Sequence, residues 1–262
     1  MSRLNLKKSQ LKEKLSKNQL TFGSWITIPS FQVIEIMATA GFDWLVIDIE
    51  HSQINMFHVA ELISAIQGSG MQALVRVGKN DELIIKRVLD SGADGLIIPM
   101  VNTEKDAQLA VNLSNYPPIG SRGVGLSRAN LYGSEFDKYK RWLEKELVII
   151  AQIEHIDAVD NLKKIINVNG IDGILLGPYD LSASMGYPGE YNKNEVKSAI
   201  ENIEHIAKAN NFPLGFHVIE SDFNICIDKL DSGYNLIAFS IDFLFLGDKV
   251  RNEMKNLKNI IK

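Results

Sequence analysis

The chain has few of the features that mark secreted, membrane or nucleic-acid-binding proteins. Its 262 residues include one cysteine, Cys226, which excludes an internal disulfide framework and is typical of a reducing compartment. No apolar run reaches the roughly 18 residues of a membrane span, and the charged N-terminus lacks the apolar core of a secretory signal. A net charge of −4 provides no basic field for nucleic acid. These absences predict a cytoplasmic protein that binds neither membranes nor nucleic acids.

Eight short apolar runs alternate with amphipathic stretches along the chain. Such runs are typical of strands that are covered on both faces of a parallel sheet. The predicted strands are 21–27, 44–49, 72–77, 95–101, 148–153, 173–177, 213–217 and 236–241. The main predicted helices are 31–40, 56–69, 82–91, 104–114, 155–166 and 194–210.

This alternation predicts an α/β protein with a (β/α)8 TIM barrel, because eight βα units fill about 250 residues in that fold. A doubly wound sheet is the alternative, but no Gly-x-Gly-x-x-Gly motif follows the first strand. No linker-like tract interrupts the chain, so we expect a single domain over residues 1–262. We also expect an additional N-terminal helix. The amphipathic stretch 243–261 predicts a last helix that packs on its own barrel or on a neighbouring subunit.

Polar residues follow several of the predicted strands at their carboxyl ends, which is the edge where TIM barrels place their catalytic groups. Five of the eight strands contribute such residues. They are Asp48, Glu50 and His51, then Arg76, then Gln152 and Glu154, then Pro178, Tyr179 and Asp180, and finally His217, a candidate for lining the pocket.

Glu154 and Asp180 end neighbouring strands, so their carboxylates are expected at one edge of the barrel. Carboxylate oxygens are the ligands that hard divalent cations such as Mg²⁺ and Mn²⁺ prefer. The same two residues can instead cap the following helices, where their charge suits the helix dipole. The residues alone leave both interpretations open.

Arg76 is a charge in an otherwise apolar strand, and it needs a partner there. It can polarise a carbonyl or stabilise an enolate, or it can form a structural ion pair with Glu50 or Asp48. His51 can act as a base or proton relay with Asp90 orienting it, although a single histidine after a strand often has a structural role.

Seven segments in order along the chain together resemble the HpcH/HpaI aldolase family, whose members are metal-dependent (class II) aldolases of 2-oxo acids. The segments are 41–51 (GFDWLVIDIEH), 86–93 (KRVLDSGA), 98–103 (IPMVNT), 116–125 (YPPIGSRGVG), 152–154 (QIE), 170–173 (GIDG) and 177–188 (GPYDLSASMGYP). The resemblance covers nearly the whole chain and implies a TIM barrel.

The resemblance also implies roles for individual residues. Glu154 and Asp180 would bind Mg²⁺, Mn²⁺ or Co²⁺ beside Gln152. Arg76 would stabilise an enolate, and His51 with Asp90 would form the acid/base dyad. The backbone around Pro178, Tyr179 and Asp180 would hold the carboxylate of pyruvate.

The implied reaction is the reversible cleavage of a 4-hydroxy-2-oxo acid to pyruvate and an aldehyde through a metal-bound pyruvate enolate. A CoA-ester lyase of the citryl- or malyl-CoA type, an oxaloacetate decarboxylase and an inactive binding barrel are the alternatives. The absence of an obvious Schiff-base lysine at a strand end favours a metal over covalent catalysis. The resemblance further implies a homo-oligomer, a dimer or a hexamer that exchanges the last helix. Departures from the family pattern at Ile49, Val77, His155, Tyr179 and Ser240 leave the aldehyde open.

Overall fold

The computed structural model describes residue 6 and residues 8–260, and within them eight parallel strands close a barrel in chain order. The strands are β1 (Thr21–Ile26), β2 (Trp44–Asp48), β3 (Gln72–Arg76), β4 (Gly95–Ile98), β5 (Val148–Ile153), β6 (Gly173–Leu176), β7 (Leu214–Val218) and β8 (Leu236–Ile241). The TIM-barrel prediction and all eight predicted strands are confirmed. The largest difference is at β4, which ends three residues before the predicted Val101.

Helices surround this barrel. They are α1 (Gln10–Ser16), α2 (Phe31–Ala38), α3 (Met56–Gly68), α4 (Glu82–Asp90), α5 (Glu104–Ser114), α6 (Phe136–Glu146), α7 (Ile156–Ile166), α8 (Pro178–Ser184), α9 (Asn194–Ala209), α10 (Phe223–Asp231) and α11 (Asp242–Ile260), with a 3₁₀ segment at Arg128–Gly133. The predicted N-terminal helix is confirmed as α1. Ile261, the predicted end of the last helix, lies outside the described residues. The single-domain organisation stays a prediction.

Helices α6 and α8 were not expected from the sequence. Helix α6 is rich in charged residues, and its helical character depends on one face that buries Tyr139, Trp142 and Leu143. Helix α8 is a short turn after β6 that begins with Pro178, a residue suited to the first helical position. Helix α8 extends the carboxyl end of the barrel, where it carries Tyr179 and Asp180.

The interior of the barrel is arranged in layers. Trp25 of β1 is in register with Val46 of β2 and, through it, with Leu74 of β3. Arg76 lies two residues after Leu74, and it is the β3 side chain that shares a layer with Trp25. The same two-residue step applies around the whole barrel. The uppermost layer therefore takes one side chain from each odd-numbered strand, as is usual in this fold. Its members are Trp25, Arg76, Gln152 and His217.

Below this polar layer the interior is apolar. The next layer, from the even-numbered strands, consists of Val46, Ile97, Leu175 and Ala238. Gly23 leaves room for the ring of Trp44, since a Cβ at Gly23 would lie 2.1 Å from that ring. Helix α1 closes the amino end with its buried Leu11 and Leu15. The polar layer thus forms the floor of the open carboxyl end.

Helix α11 exposes an apolar stripe along its length. The side chains of Phe243, Leu246, Val250, Met254, Leu257 and Ile260 recur every three or four residues, and each is 47–81% exposed. This surface is consistent with the predicted packing on a neighbouring subunit, which stays a prediction. Within the described residues, no helix combines the length and apolar character required to cross a membrane.

Candidate active site

A cavity of about 90 Å³ opens at the carboxyl end of the barrel. The upper layer of the interior forms its floor, and residues 177–180 and Ile219 form its sides. Larger clefts, of about 640 and 580 Å³, lie among the outer helices. The small cavity is the one that meets the polar residues predicted at the strand ends.

Arg76 at the end of β3 is held in one orientation. Its Nε and Nη2 donate to the two carboxylate oxygens of Asp48 at 3.0 and 2.6 Å, and its Nε lies 3.3 Å from Oε2 of Glu50. Its guanidinium also stacks on the ring of Trp25 at 4.4 Å. The structural ion pair considered from the sequence is therefore present, and the same guanidinium lines the cavity. Such a bidentate contact fixes the position of the guanidinium and keeps its buried charge paired.

Glu154 follows β5 and is buried. Its Oε1 accepts a hydrogen bond from the backbone N–H of Met100 at 2.7 Å, and its Oε2 accepts one from Nε2 of Gln152 at 2.5 Å. Met100 directs this N–H from a left-handed backbone conformation (φ 53°), a strained state for a residue with a side chain. Burial raises the pKa of Glu154, and the charge of Asp180 raises it further, against the lowering effect of the two hydrogen bonds.

Asp180 lies in the first turn of α8, on the exposed rim of the cavity. Its electrostatic effect on Glu154 shows that the two predicted metal ligands are neighbours. Gly177 lies between β6 and α8, and a Cβ there would approach Oε2 of Glu154 to 3.2 Å. The absence of a side chain at this position keeps Glu154 in its place.

The donor set fits a hard divalent cation. Oε1 of Gln152 is buried without a hydrogen-bond partner among the described residues, beside the carboxylates of Glu154 and Asp180. These are oxygen donors of the kind that Mg²⁺ and Mn²⁺ select, and water and substrate oxygens usually complete such sites. Within the described part of the chain, no group of three or more His, Cys, Asp or Glu side chains is arranged around a metal position. A site formed by Glu154 and Asp180 would therefore need other oxygens to complete it.

His51 and Asp90 occupy different surroundings. The side chain of His51 is 68% exposed, and its Nε2 lies 3.7 Å from Oε2 of Glu50. Asp90, at the end of α4, instead accepts a hydrogen bond at 2.6 Å from Nη2 of the buried Arg122. No hydrogen bond joins His51 to Asp90 within the described residues, so the predicted dyad stays a prediction.

The sequence patterns did not predict the arrangement of two residues of the cavity floor, Trp25 and His217. Trp25 was not singled out, and His217 was considered only as a pocket-lining candidate. Their rings are 5.1 Å apart, and each has a buried nitrogen without a partner in the described structure. Counting two residues from one odd-numbered strand to the next would have placed both residues in the uppermost layer, but only after the strand register was known.

Comparisons with known proteins find relatives over nearly the whole chain. The family model described as "HpcH/HpaI aldolase/citrate lyase" matches residues 21–244. The chain is 36% identical over 240 residues to "Hydroxypyruvate/pyruvate aldolase" of Sagittula stellata, covering 91% of this chain and 94% of that protein. It is 35% identical over 250 residues to "2-keto-3-deoxy-L-rhamnonate aldolase" of Escherichia coli K12, covering 95% and 92%.

A solved structure extends the match to the fold. An HpcH/HpaI aldolase/citrate lyase family protein from Burkholderia cenocepacia superimposes with a TM-score of 0.90 at 30% identity, covering 95% of this chain and 99% of that one. Sequence and fold thus agree over nearly the full length. The chain belongs to the HpcH/HpaI aldolase/citrate lyase family, as its strand-end motifs predicted.

Proposed function

We propose that this metal-dependent aldolase reversibly cleaves a 4-hydroxy-2-oxo acid to pyruvate and an aldehyde in the cavity above the barrel floor. The observation that supports the proposal is that Arg76 and Asp180 line one small cavity, and that Glu154 lies close enough to both for their charges to act on its pKa. The relatives named as aldolases support the reaction class.

The cavity suits the 2-oxo acid portion of the substrate. At roughly 10–15 Å³ for each water-sized probe, a volume of about 90 Å³ admits a fragment of pyruvate size. The first turn of α8 has no side-chain cap. Its N–H groups at Tyr179 and Asp180, together with the backbone at Pro178, would hold the carboxylate of the acid. The aldehyde portion would extend towards the exposed Tyr179 at the rim.

Glu154 and Asp180 would hold the cation, with Mg²⁺, Mn²⁺ or Co²⁺ as the candidates and Gln152 beside them. Bound there, a divalent cation supplies Lewis-acid stabilisation for negative charge on the keto oxygen. The local charge favours this, because Asp48 and Glu50 contact the guanidinium of Arg76, and the charges of both Arg76 and Asp180 act on Glu154.

The role of Arg76 in the reaction follows from the negative charge that develops during cleavage. Cleavage removes the proton of the C4 hydroxyl and breaks the C3–C4 bond, and the electron pair passes into a pyruvate enolate. Arg76 donates hydrogen bonds where this charge develops, and its preorganised position by Asp48 costs little reorganisation. Protonation at C3 then gives pyruvate.

His51 would exchange the proton of the C4 hydroxyl, directly or through water. Its exposed ring lies 3.7 Å from Glu50, whose carboxylate contacts Arg76, and this neighbourhood supports a role near the mouth, where the aldehyde portion would leave. Asp90 would act as the second member of the dyad. Its contact with Arg122 supports a position next to the loop 115–134 rather than on the cavity floor.

The stripe on α11 supports assembly as a homo-oligomer, a dimer or a hexamer, because six apolar side chains are otherwise left to solvent. The single, buried Cys226 supports a cytoplasmic location. Residues 1–262 would form a single barrel domain.

The test is a panel of 4-hydroxy-2-oxo acids in which pyruvate release is coupled to a dehydrogenase, with and without EDTA. We expect release that EDTA abolishes and Mg²⁺, Mn²⁺ or Co²⁺ restores. Release that is insensitive to EDTA would contradict the Glu154 and Asp180 assignment. Turnover of malyl-CoA, citryl-CoA or oxaloacetate in place of every panel member would favour the lyase or the decarboxylase.

A further inference from the structure

Three buried polar atoms of the cavity floor have no hydrogen-bond partner among the described residues. They are Nε1 of Trp25, Oε1 of Gln152 and Nε2 of His217. A buried polar atom without a partner costs free energy, so native proteins pair such atoms with a ligand or with ordered water. Gln152 belongs to the metal end of the cavity. The proposed function gives no role to the nitrogens of Trp25 and His217.

The free nitrogen of His217 is a hydrogen-bond acceptor. The backbone of Ser240 hydrogen-bonds the imidazole and favours its protonated state, as a carbonyl acceptor does. Because Nε2 has no partner in the described structure, this bond uses Nδ1–H and leaves the lone pair on Nε2. Burial lowers the pKa of His217 to about 3. The ring is therefore neutral at physiological pH and cannot itself supply a proton from Nε2.

Ser240 holds the imidazole from an unusual backbone conformation. Its φ is 52°, in the left-handed region that favours glycine. Its Oγ donates to the carbonyl of Ile219 at 2.9 Å, and its own carbonyl accepts from Oγ of Ser24 at 3.2 Å. These contacts stabilise the strained residue. The direction of Nε2 is thereby fixed by the backbone of β8.

Trp25 provides the complementary group. Its indole nitrogen can only donate, and its ring lies 5.1 Å from the imidazole of His217. One water molecule can accept from Nε1 of Trp25 and donate to Nε2 of His217, and such a bridge is nearly as favourable in enthalpy as a direct hydrogen bond. The second O–H of this water is then available to a substrate.

The proposed binding mode brings C3 of the substrate to this part of the floor. The carboxylate would lie at the first turn of α8, and the keto oxygen would face the metal end and Arg76. The third substituent of the keto carbon is C3, and the polar lining that is left for it is that of Trp25 and His217. The carbon that has to be protonated would therefore face the two nitrogens.

We propose that Trp25 and His217 position a water molecule that donates a proton to C3 of the enolate. The inference rests on the proposed function and adds the source of its second proton. The electron pair of the enolate forms the new C3–H bond, and one O–H bond of the water breaks. The hydroxide that remains lies near the charge of Arg76, whose guanidinium stacks on Trp25 at 4.4 Å, and solvent returns its proton when pyruvate leaves. Trp25 and His217 are thus positioning residues.

Deuterium exchange at C3 of pyruvate isolates this proton transfer, because it needs neither an aldehyde nor a C4 hydroxyl. NMR follows the exchange in D₂O with Mg²⁺-loaded enzyme after subtraction of the enzyme-free rate. We expect His217→Leu and Trp25→Phe each to lower kcat of exchange by about 100-fold, the lower end of the range for a positioned proton-transfer group. The KM for pyruvate should stay nearly unchanged, because neither side chain holds the carboxylate or the keto oxygen.

Two further variants separate positioning from a structural effect. His217→Gln retains an acceptor near Nε2 and should recover most of kcat. The control His205→Leu alters an exposed histidine of α9 and should change nothing. Failure of His217→Gln to recover any activity, or a rise in KM that accounts for the whole loss in His217→Leu, would overturn the proposal.

A crystal structure with Mg²⁺ and pyruvate provides a readout that does not depend on turnover. It should contain a water molecule about 2.7–3.2 Å from Nε1 of Trp25 and from Nε2 of His217. Absence of this water, or wild-type exchange in both His217→Leu and Trp25→Phe, would overturn the inference and leave the proposed function intact. If the wild type exchanged no pyruvate, the proposed function and the inference would fail together.

Discussion

Arg76 and Asp48 are register partners on adjacent strands, and two hydrogen bonds of 3.0 and 2.6 Å join the guanidinium to the carboxylate. The pair lies at the carboxyl edge of the barrel, where β2 and β3 end. Asp48 is buried, so its charge orients Arg76 with little screening by water. The arginine is thereby held over Trp25 and along the cavity before any substrate binds.

Replacement of Arg76 by lysine should lower kcat sharply. Lysine keeps the charge but loses the planar fork that binds both oxygens of Asp48. We expect a decrease of about 10²- to 10³-fold, the range for loss of one preorganised donor. The measurement is pyruvate release under saturating metal, with Arg251→Lys on the exposed face of α11 as the control. A decrease of less than threefold in a folded Arg76→Lys enzyme would remove Arg76 from the chemistry.

Addition of a methyl group at Gly177 should weaken metal binding. A Cβ at this position would lie 3.0 Å from Cβ and 3.2 Å from Oε2 of Glu154, so the carboxylate has to move. We expect Mn²⁺ affinity to fall by about 10-fold or more, as for other changes next to metal ligands. Titration calorimetry with Mn²⁺ measures it. Gly123→Ala is the control because the nearest atom to a Cβ there is the flexible end of Lys86 at 3.8 Å.

Replacement of Asp90 by alanine should destabilise the protein. Arg122 is 1% exposed, and Asp90 is its carboxylate partner. Loss of one partner of a buried ion pair costs about 3–5 kcal/mol, which urea denaturation would detect. Under the dyad proposal, Asp90→Ala also loses cleavage activity.

The matching variant His51→Ala separates the two roles. Because the ring is 68% exposed, we expect no significant change in the free energy of unfolding. Cleavage should be lost while deuterium exchange of pyruvate continues, since His51 would act only on the C4 hydroxyl. Loss of both reactions to the same extent would place His51 elsewhere in the mechanism.

The pH dependence of stability should reveal the buried His217. The unfolded chain takes up a proton at this residue below about pH 6.5, whereas the folded chain does so only near pH 3. Protonation therefore favours the unfolded state between these values, and the free energy of unfolding falls as the pH decreases. The contribution is about 1.4 kcal/mol for each pH unit below 6.5. His217→Leu lacks this contribution. In urea denaturation from pH 7.5 to 4.5, the free energy of unfolding of the wild type minus that of the variant should therefore decrease as the pH falls. A constant difference would mean that His217 titrates normally.

A charge on the stripe of α11 should disrupt assembly. Val250→Glu places a carboxylate among side chains that we propose to be covered by another subunit. Light scattering should report a smaller particle, while Lys255→Glu, a charge change at an exposed position of the same helix, keeps the assembly. An unchanged mass for Val250→Glu would move the interface elsewhere.

The sequence was sufficient for the barrel and for the edge of it at which the candidate site residues lie. Eight apolar runs and the helices between them identify βα units, because local hydrophobic periodicity depends only on near neighbours. Parallel strands end at one edge, so the positions of Arg76, Glu154 and Asp180 after three strands predicted their common location. The family motifs then suggested the roles that we propose for these residues.

Contacts between distant segments depended on the tertiary structure. Asp90 was expected to serve His51, but it contacts Arg122, a residue 32 positions later, because the loop 115–134 folds back over the end of α4. Helix α6 was not predicted because most of its residues are charged. It is stabilised by the face that packs against the rest of the protein. Trp25 and His217 lie on the first and seventh strands and meet only because the barrel closes with a step of two residues between alternate strands. Periodicity determines elements locally, whereas closure and register determine which side chains share a layer, and those are properties of the whole sheet.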